Sequence, residues 1–134
     1  MATLSNPRFQ VDILTGMPND YQITATVNVE LSPFETFLVN AGLGLELRSN
    51  VWGEDGGFFS GGGDDNLYSF STRSITAPGT YTFQAIVPRG VLNEDNSLFN
   101  KDDEVYSKFT LTSTTNLFPL NTAVNSPIIT GKFG

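Results

Sequence analysis

The chain contains no cysteine and no histidine. Without cysteine there is no disulfide framework and no thiolate metal site. Without histidine the commonest general base, the usual zinc ligand and the Ser-His-Asp triad are all excluded. Charge is sparse as well. Charged residues make up 16% of the chain, and 7 Lys and Arg stand against 14 Asp and Glu, for a net charge of −7. So acidic a chain repels phosphate backbones and anionic membranes, and nucleic acid is not an expected partner. No stretch approaches the roughly 18 consecutive apolar residues that a spanning helix needs, so membrane insertion is not expected either. The opening MATLSNPRFQ has no basic region followed by an apolar run, and without a signal of that kind a cytoplasmic location is the expectation. A phosphate-binding loop is also missing: Gly61-Gly62-Gly63 runs into Asp64-Asp65, which would repel phosphate.

What is present points to β structure. A chain of 134 residues is expected to form one domain, 1–134. Residues 1–7 read as an N-terminal tail, and residues 113–134 as an irregular segment or edge strand. Eleven Phe and four Tyr can anchor a sandwich core. Period-two alternation recurs along the chain. Phe9, Val11 and Ile13 alternate in a first strand over 8–14. Tyr21, Ile23, Ala25, Val27, Val29 and Leu31 alternate with polar residues in the cleanest strand. Between them, 15–20 reads as a loop.

Ser32-Pro33-Phe34-Glu35 breaks the pattern, and 36–40 reads as a short strand or irregular edge. Leu43, Leu45 and Leu47 then alternate up to Val51 and Trp52. Gly42 and Gly44 there argue against an amphipathic helix and for a bulge or a close backbone approach. Residues 67–72 resume as a strand. The stretch from Ile75 to Leu111 reads as strand, acidic loop, strand, a hairpin-like pair. Tyr81, Phe83, Ala85 and Val87 form one face of its first strand, and Val105, Ser107, Phe109 and Leu111 one face of its second. Pro119 and Pro127 restrict the last segment to an edge. Six to eight short strands with frequent turn signals predict an all-β fold, an antiparallel β-sandwich, with a closed barrel as the competing architecture.

The order of these signals resembles immunoglobulin-like Greek-key sandwiches without the disulfide. More narrowly, several phrases resemble the C-terminal sugar-recognition domain of the ATP-binding subunit in O-antigen polysaccharide exporters. They are the long strand Tyr21 to Leu31, the strand and loop from Leu43 to Asp55, and Pro78-Gly79-Thr80-Tyr81-Thr82-Phe83. Val87-Pro88 and Leu92-Asn93-Glu94, leading to a final strand with Tyr106, complete the match. The resemblance covers about two-thirds of the chain, and it implies an immunoglobulin-like fold and carbohydrate binding.

Two loops carry the candidate site residues. In GEDGGFFSGGGDD (53–65), Phe58 and Phe59 lie between Trp52 and Tyr68. Aromatic faces stack on the C–H surfaces of sugars, and aromatics are enriched at protein interfaces, so Trp52, Phe58, Phe59 and Tyr68 are the candidate ligand-binding residues. The competing reading puts Trp52 and Tyr68 in the core, with Phe58 and Phe59 plugging one end of the sandwich. In NEDNSLFNKDDE (93–104), Asn93, Asp95, Ser97 and Glu104 match positions 1, 3, 5 and 12 of a calcium loop, but Leu98 stands where that loop wants glycine. A looser cation site would draw on Asp95, Asp102 and Asp103, joined by Asp55, Asp64 and Asp65 if both loops share one end of the sandwich. Calcium is the cation it would take. Solvated, screened loops are the plainer reading. Glu46, Glu54 and Asp64 offer carboxylates for glycoside hydrolysis, but no spacing singles out a pair, so an enzyme is not expected. The expectation is a non-enzymatic binding module for carbohydrate. The alternative is a structural or protein-interaction subunit, homo-oligomeric, with or without calcium.

Overall fold

The computed structural model describes residues 2–53, 65–92, 103–115 and 120–131. Two antiparallel sheets face each other across one core. The first has the order β1 (Thr3–Leu14), β2 (Met17–Glu30), β6 (Gly79–Pro88). The second has the order β4 (Asp65–Ser69), β3 (Leu45–Gly53), β7 (Asp103–Ser113), β8 (Asn121–Asn125). Two short strands complete it: β5 (Arg73–Ile75) pairs with β3, and β9 (Ile129–Gly131) pairs with β7. The protein is thus an all-β sandwich.

The alternation that marks each strand also decides what it buries. Along β2, Tyr21, Ile23, Ala25, Val27 and Val29 are buried, and the intervening polar residues face outward. On β3 and β7, Leu45, Leu47, Val51, Val105, Phe109 and Leu111 are buried in the same way. Side chains one residue apart on a strand point to opposite faces, so one register sets the whole inner surface. The layers meet through aromatic rings. Phe83 of β6 lies 6.3 Å from Phe109 of β7 and 5.6 Å from Phe70, centroid to centroid.

Four features differ from the sequence reading. First, the tail is strand from Thr3 onward, pairing Thr3 with Glu30. Pro7 is accommodated because β1 is an edge strand with a bulge between Ser5 and Arg8, where Asn6 takes a positive φ of 48°. Second, the loop expected over 15–20 is only a tight turn. Leu14 already faces Met17, and Gly16 supplies the φ of 82° the turn needs.

Third, residues Pro33–Asn40 form a helix, α1, where a short strand or edge was expected. Ser32 accepts a hydrogen bond from the Glu35 N–H, Glu35 accepts one from the Ser32 N–H, and Pro33 occupies the first turn. This is a capping box, and it satisfies amide donors that a helix start otherwise leaves unpaired. Gly42, at φ 111°, ends the helix.

Fourth, β6 and β7 are not a hairpin. They belong to different sheets, so the chain between them crosses from one layer to the other.

The outer strands of the second sheet are both interrupted near its middle. The Phe70 N–H bonds to the Ser49 carbonyl between β4 and β5. On the opposite edge Ser126 sits between β8 and β9. Its N–H donates to the Ser107 carbonyl, and its hydroxyl accepts from the Ser107 N–H. Ser49 and Ser107 share a buried hydroxyl–hydroxyl bond of 2.7 Å. Gly44 is the close approach expected from its position. A Cβ there would collide with the Thr114 hydroxyl, and the Thr114 N–H bonds to the Gly44 carbonyl at 2.9 Å.

Candidate functional site

Because Leu45, Leu47, Ser49 and Val51 point inward, the even-numbered residues of β3 form the solvent-facing side of the sheet. Trp52 is the last of these. It lies in register with Tyr106 on β7 and with Asn66 on β4. One pair further along the sheet, Asn50 faces Lys108, which faces Asn125 on β8. The outer face therefore carries two aromatic residues side by side at one end, bordered by three amides and an ammonium. Directly opposed side chains sit about 5 Å apart at Cβ, close enough to make one surface.

Trp52 and Tyr106 are half-buried. The Trp52 indole N–H is buried and has no hydrogen-bond partner among the described residues. Such donors are normally satisfied when buried, so this one stands out. Asn66 donates to the Ser69 hydroxyl at 3.3 Å. Further along the same face, Arg48 and Glu46 form an exposed ion pair at 3.0 Å. Chemically, this surface offers an aromatic platform with donors and acceptors around it. It has no nucleophile–base pair and no facing carboxylates among the described residues.

The structure separates the aromatics that the sequence grouped. Tyr68 lies opposite Val51, on the inner side of the sheet, packs against the core, and meets Phe70 edge-on at 5.2 Å. Trp52 is on the outer face. Phe58 and Phe59 lie outside the described residues, as do Asp55, Asp64, Asp95 and Asp102. Of Asp65 and Asp103 the backbone is described: they open β4 and β7. Gly53 pairs with both Asp65 and Val105, so these strand starts lie at one end of the sheet. Among the described residues no three acidic side chains gather into a metal-binding group.

Tyr106, Asn66, Lys108 and Asn125 were not singled out by sequence. Alternation along β7 places Tyr106 with Lys108 on the polar face, but only the strand register brings them beside Trp52 and Asn50.

Glu35 is a titratable group with a displaced pKa, and its environment explains why. It is 2% exposed. Burial pushes its pKa upward, but hydrogen bonds from Ser32 and from the Ala2 N–H, at 2.6 Å, outweigh this and hold it below the ordinary value. The carboxylate thus caps α1 and ties down the start of β1.

Comparisons with protein-family models, with curated proteins and with solved structures found no match for this chain.

Proposed function

We propose that the protein is a non-catalytic binding module that takes carbohydrate on the outer face of the six-stranded sheet. The observation that carries this reading is the Trp52–Tyr106 pair, side by side on a solvent-facing surface and bordered by Asn50, Asn66, Lys108 and Asn125. Aromatic rings cover the apolar faces of sugar rings, and amides pair with hydroxyls at the rim. The strand orders β1-β2-β6 and β4-β3-β7-β8 support an immunoglobulin-like Greek key. In such a connectivity the chain repeatedly crosses between layers and leaves loops at both ends for recognition. That reading also agrees with the resemblance to exporter sugar-recognition domains.

Affinity electrophoresis against a set of soluble polysaccharides tests the proposal. One or more should retard the protein, and Trp52→Ala should abolish the retardation, a loss of about tenfold or more in affinity. Its melting curve should still show a folded protein. Retention of full affinity by the folded variant would sink the reading.

A second reading, an assembly subunit, is favoured by α1. Phe34 and Phe37, one turn apart, are 60% and 66% exposed. Light scattering of the wild type and Phe37→Ser decides it: an oligomer that dissociates on substitution supports assembly, and a monomer at every concentration removes it.

A further inference from the structure

The open edge of the three-stranded sheet lies in a different region. Among the described residues β1 is bonded to β2 on one side only, and no described strand pairs with the backbone of its other edge. Across from that edge lie Pro127 and Ile129 of the second sheet, and the seam between them opens into a cavity of about 610 Å³. We propose that this seam takes an extended peptide strand with aliphatic residues on its inner side and one acidic residue placed at Arg8 on its outer side.

The two walls specify the alternation. On β1, Arg8 and Gln10 are exposed and face the outer side, in register with Thr26 and Thr24. Phe9 and Val11 face the opposite way and pack with the core. Ile129 lies opposite the inward-facing Val105 and is likewise packed against the core. A strand added to β1 continues the sheet, so its own side chains alternate between these environments. Those on the inner side meet Val11, Ile129 and Pro127. Those on the outer side meet Arg8 and Gln10, their neighbours on β1.

Arg8 sets the charge. It has no carboxylate and no hydrogen-bond partner among the described residues. An exposed guanidinium with no partner among the described residues is a local attraction for an acidic side chain. Asp12, at the other end of the run, is held by the Gln10 amide at 2.9 and 3.1 Å and repels a second acid there. The acidic residue of the partner is therefore placed at Arg8. The run from Arg8 to Val11 accommodates about four residues at roughly 3.3 Å each. A second copy of this chain is the poorer occupant, because two bodies of this charge repel and the bulge at Asn6 and Pro7 bends the edge away.

The probe is a fluorescein-labelled six-residue peptide in which valines alternate with two threonines and one aspartate, followed by fluorescence polarisation at low salt. Saturable binding is expected. Arg8→Glu, an exposed substitution, should weaken it about fivefold and reverse the preference toward the same peptide with lysine in place of its one aspartate. Methylating alternate backbone amides on the probe should abolish binding without any change to the protein. The proposal is overturned if the probe fails to saturate up to about 1 mM, if the lysine and aspartate peptides bind the wild type equally, or if amide methylation has no effect. A concentration-dependent dimer lost in Arg8→Glu would also overturn it, by giving the seam to a second copy.

Discussion

The two sheets bury the same kinds of residue and differ in everything else. In the three-stranded sheet, β2 and β6 pair without interruption from Asp20–Pro88 to Val29–Gly79. Its outer face is a mat of Thr, Gln and Asn. Thr80 donates to Asn28 at 2.6 Å, and Gln84 reaches Thr24 at 3.5 Å. The six-stranded sheet has broken outer strands, a buried serine pair at its middle and two aromatics on its solvent face. The uniform pairing of β2 with β6 contributes a regular wall, with the bulged β1 at its edge. On the interrupted sheet the Trp52 indole N–H has no partner among the described residues. The proposed carbohydrate face thus lies on the layer with broken outer strands, while the open seam lies where the two layers meet.

The strongest way to break this division is through the core they share. Phe109 is fully buried and contacts the Phe83 ring. Phe109→Ala should cost about 3–5 kcal/mol in denaturant unfolding. Thr24→Ala, on the outer face of the uniform sheet, should stay within about 0.5 kcal/mol.

Next in size is the link between α1 and β1. Glu35→Ala strands two amides, of Ala2 and Ser32, and should cost about 2 kcal/mol. The same carboxylate gives a pH signature. Its folded pKa lies below the ordinary value, so its contribution is complete at neutral pH and is lost as pH falls below about 4.3 toward the folded value. Urea midpoints of the wild type should therefore drop through that acid window, more steeply than those of Glu35→Gln.

The smallest effect sharpens the account of the serine pair. Ser49→Ala or Ser107→Ala alone leaves one buried hydroxyl without its partner, at about 1–2 kcal/mol each. The double variant should cost clearly less than the sum. An additive cycle would mean the two hydroxyls are not coupled.

Legibility in the sequence tracked how local each feature is. The inner faces of β2, β3, β6 and β7 follow from alternation alone, and the structure buries those residues or, for Tyr81 and Ala85, packs them half-buried against the core. The start of α1 was written in Ser32, Pro33 and Glu35 and was missed because proline was read as a strand breaker. The same dipeptide opens a helix when a glutamate follows. The partition of β6 and β7 between sheets was not legible, because a loop joining two strands looks alike whether they pair or cross. Nor was the separation of Trp52 from Tyr68, which follows from Tyr68 pairing with Val51, the inward-facing residue before Trp52. For the seam, the alternation of Arg8 with Phe9 was visible, but its opposite wall lies more than a hundred residues away.

By itself, then, the sequence determined the class of fold and which side of each long strand is buried, because both depend on a two-residue period that any extended chain must obey. It also determined what chemistry is absent, since no arrangement can supply missing imidazoles or thiols. Tertiary structure alone decided which strands are neighbours, where the sheets part and which polar groups remain unpaired. Those depend on contacts between distant segments, whose register is set by the packing of the whole core rather than by any short stretch.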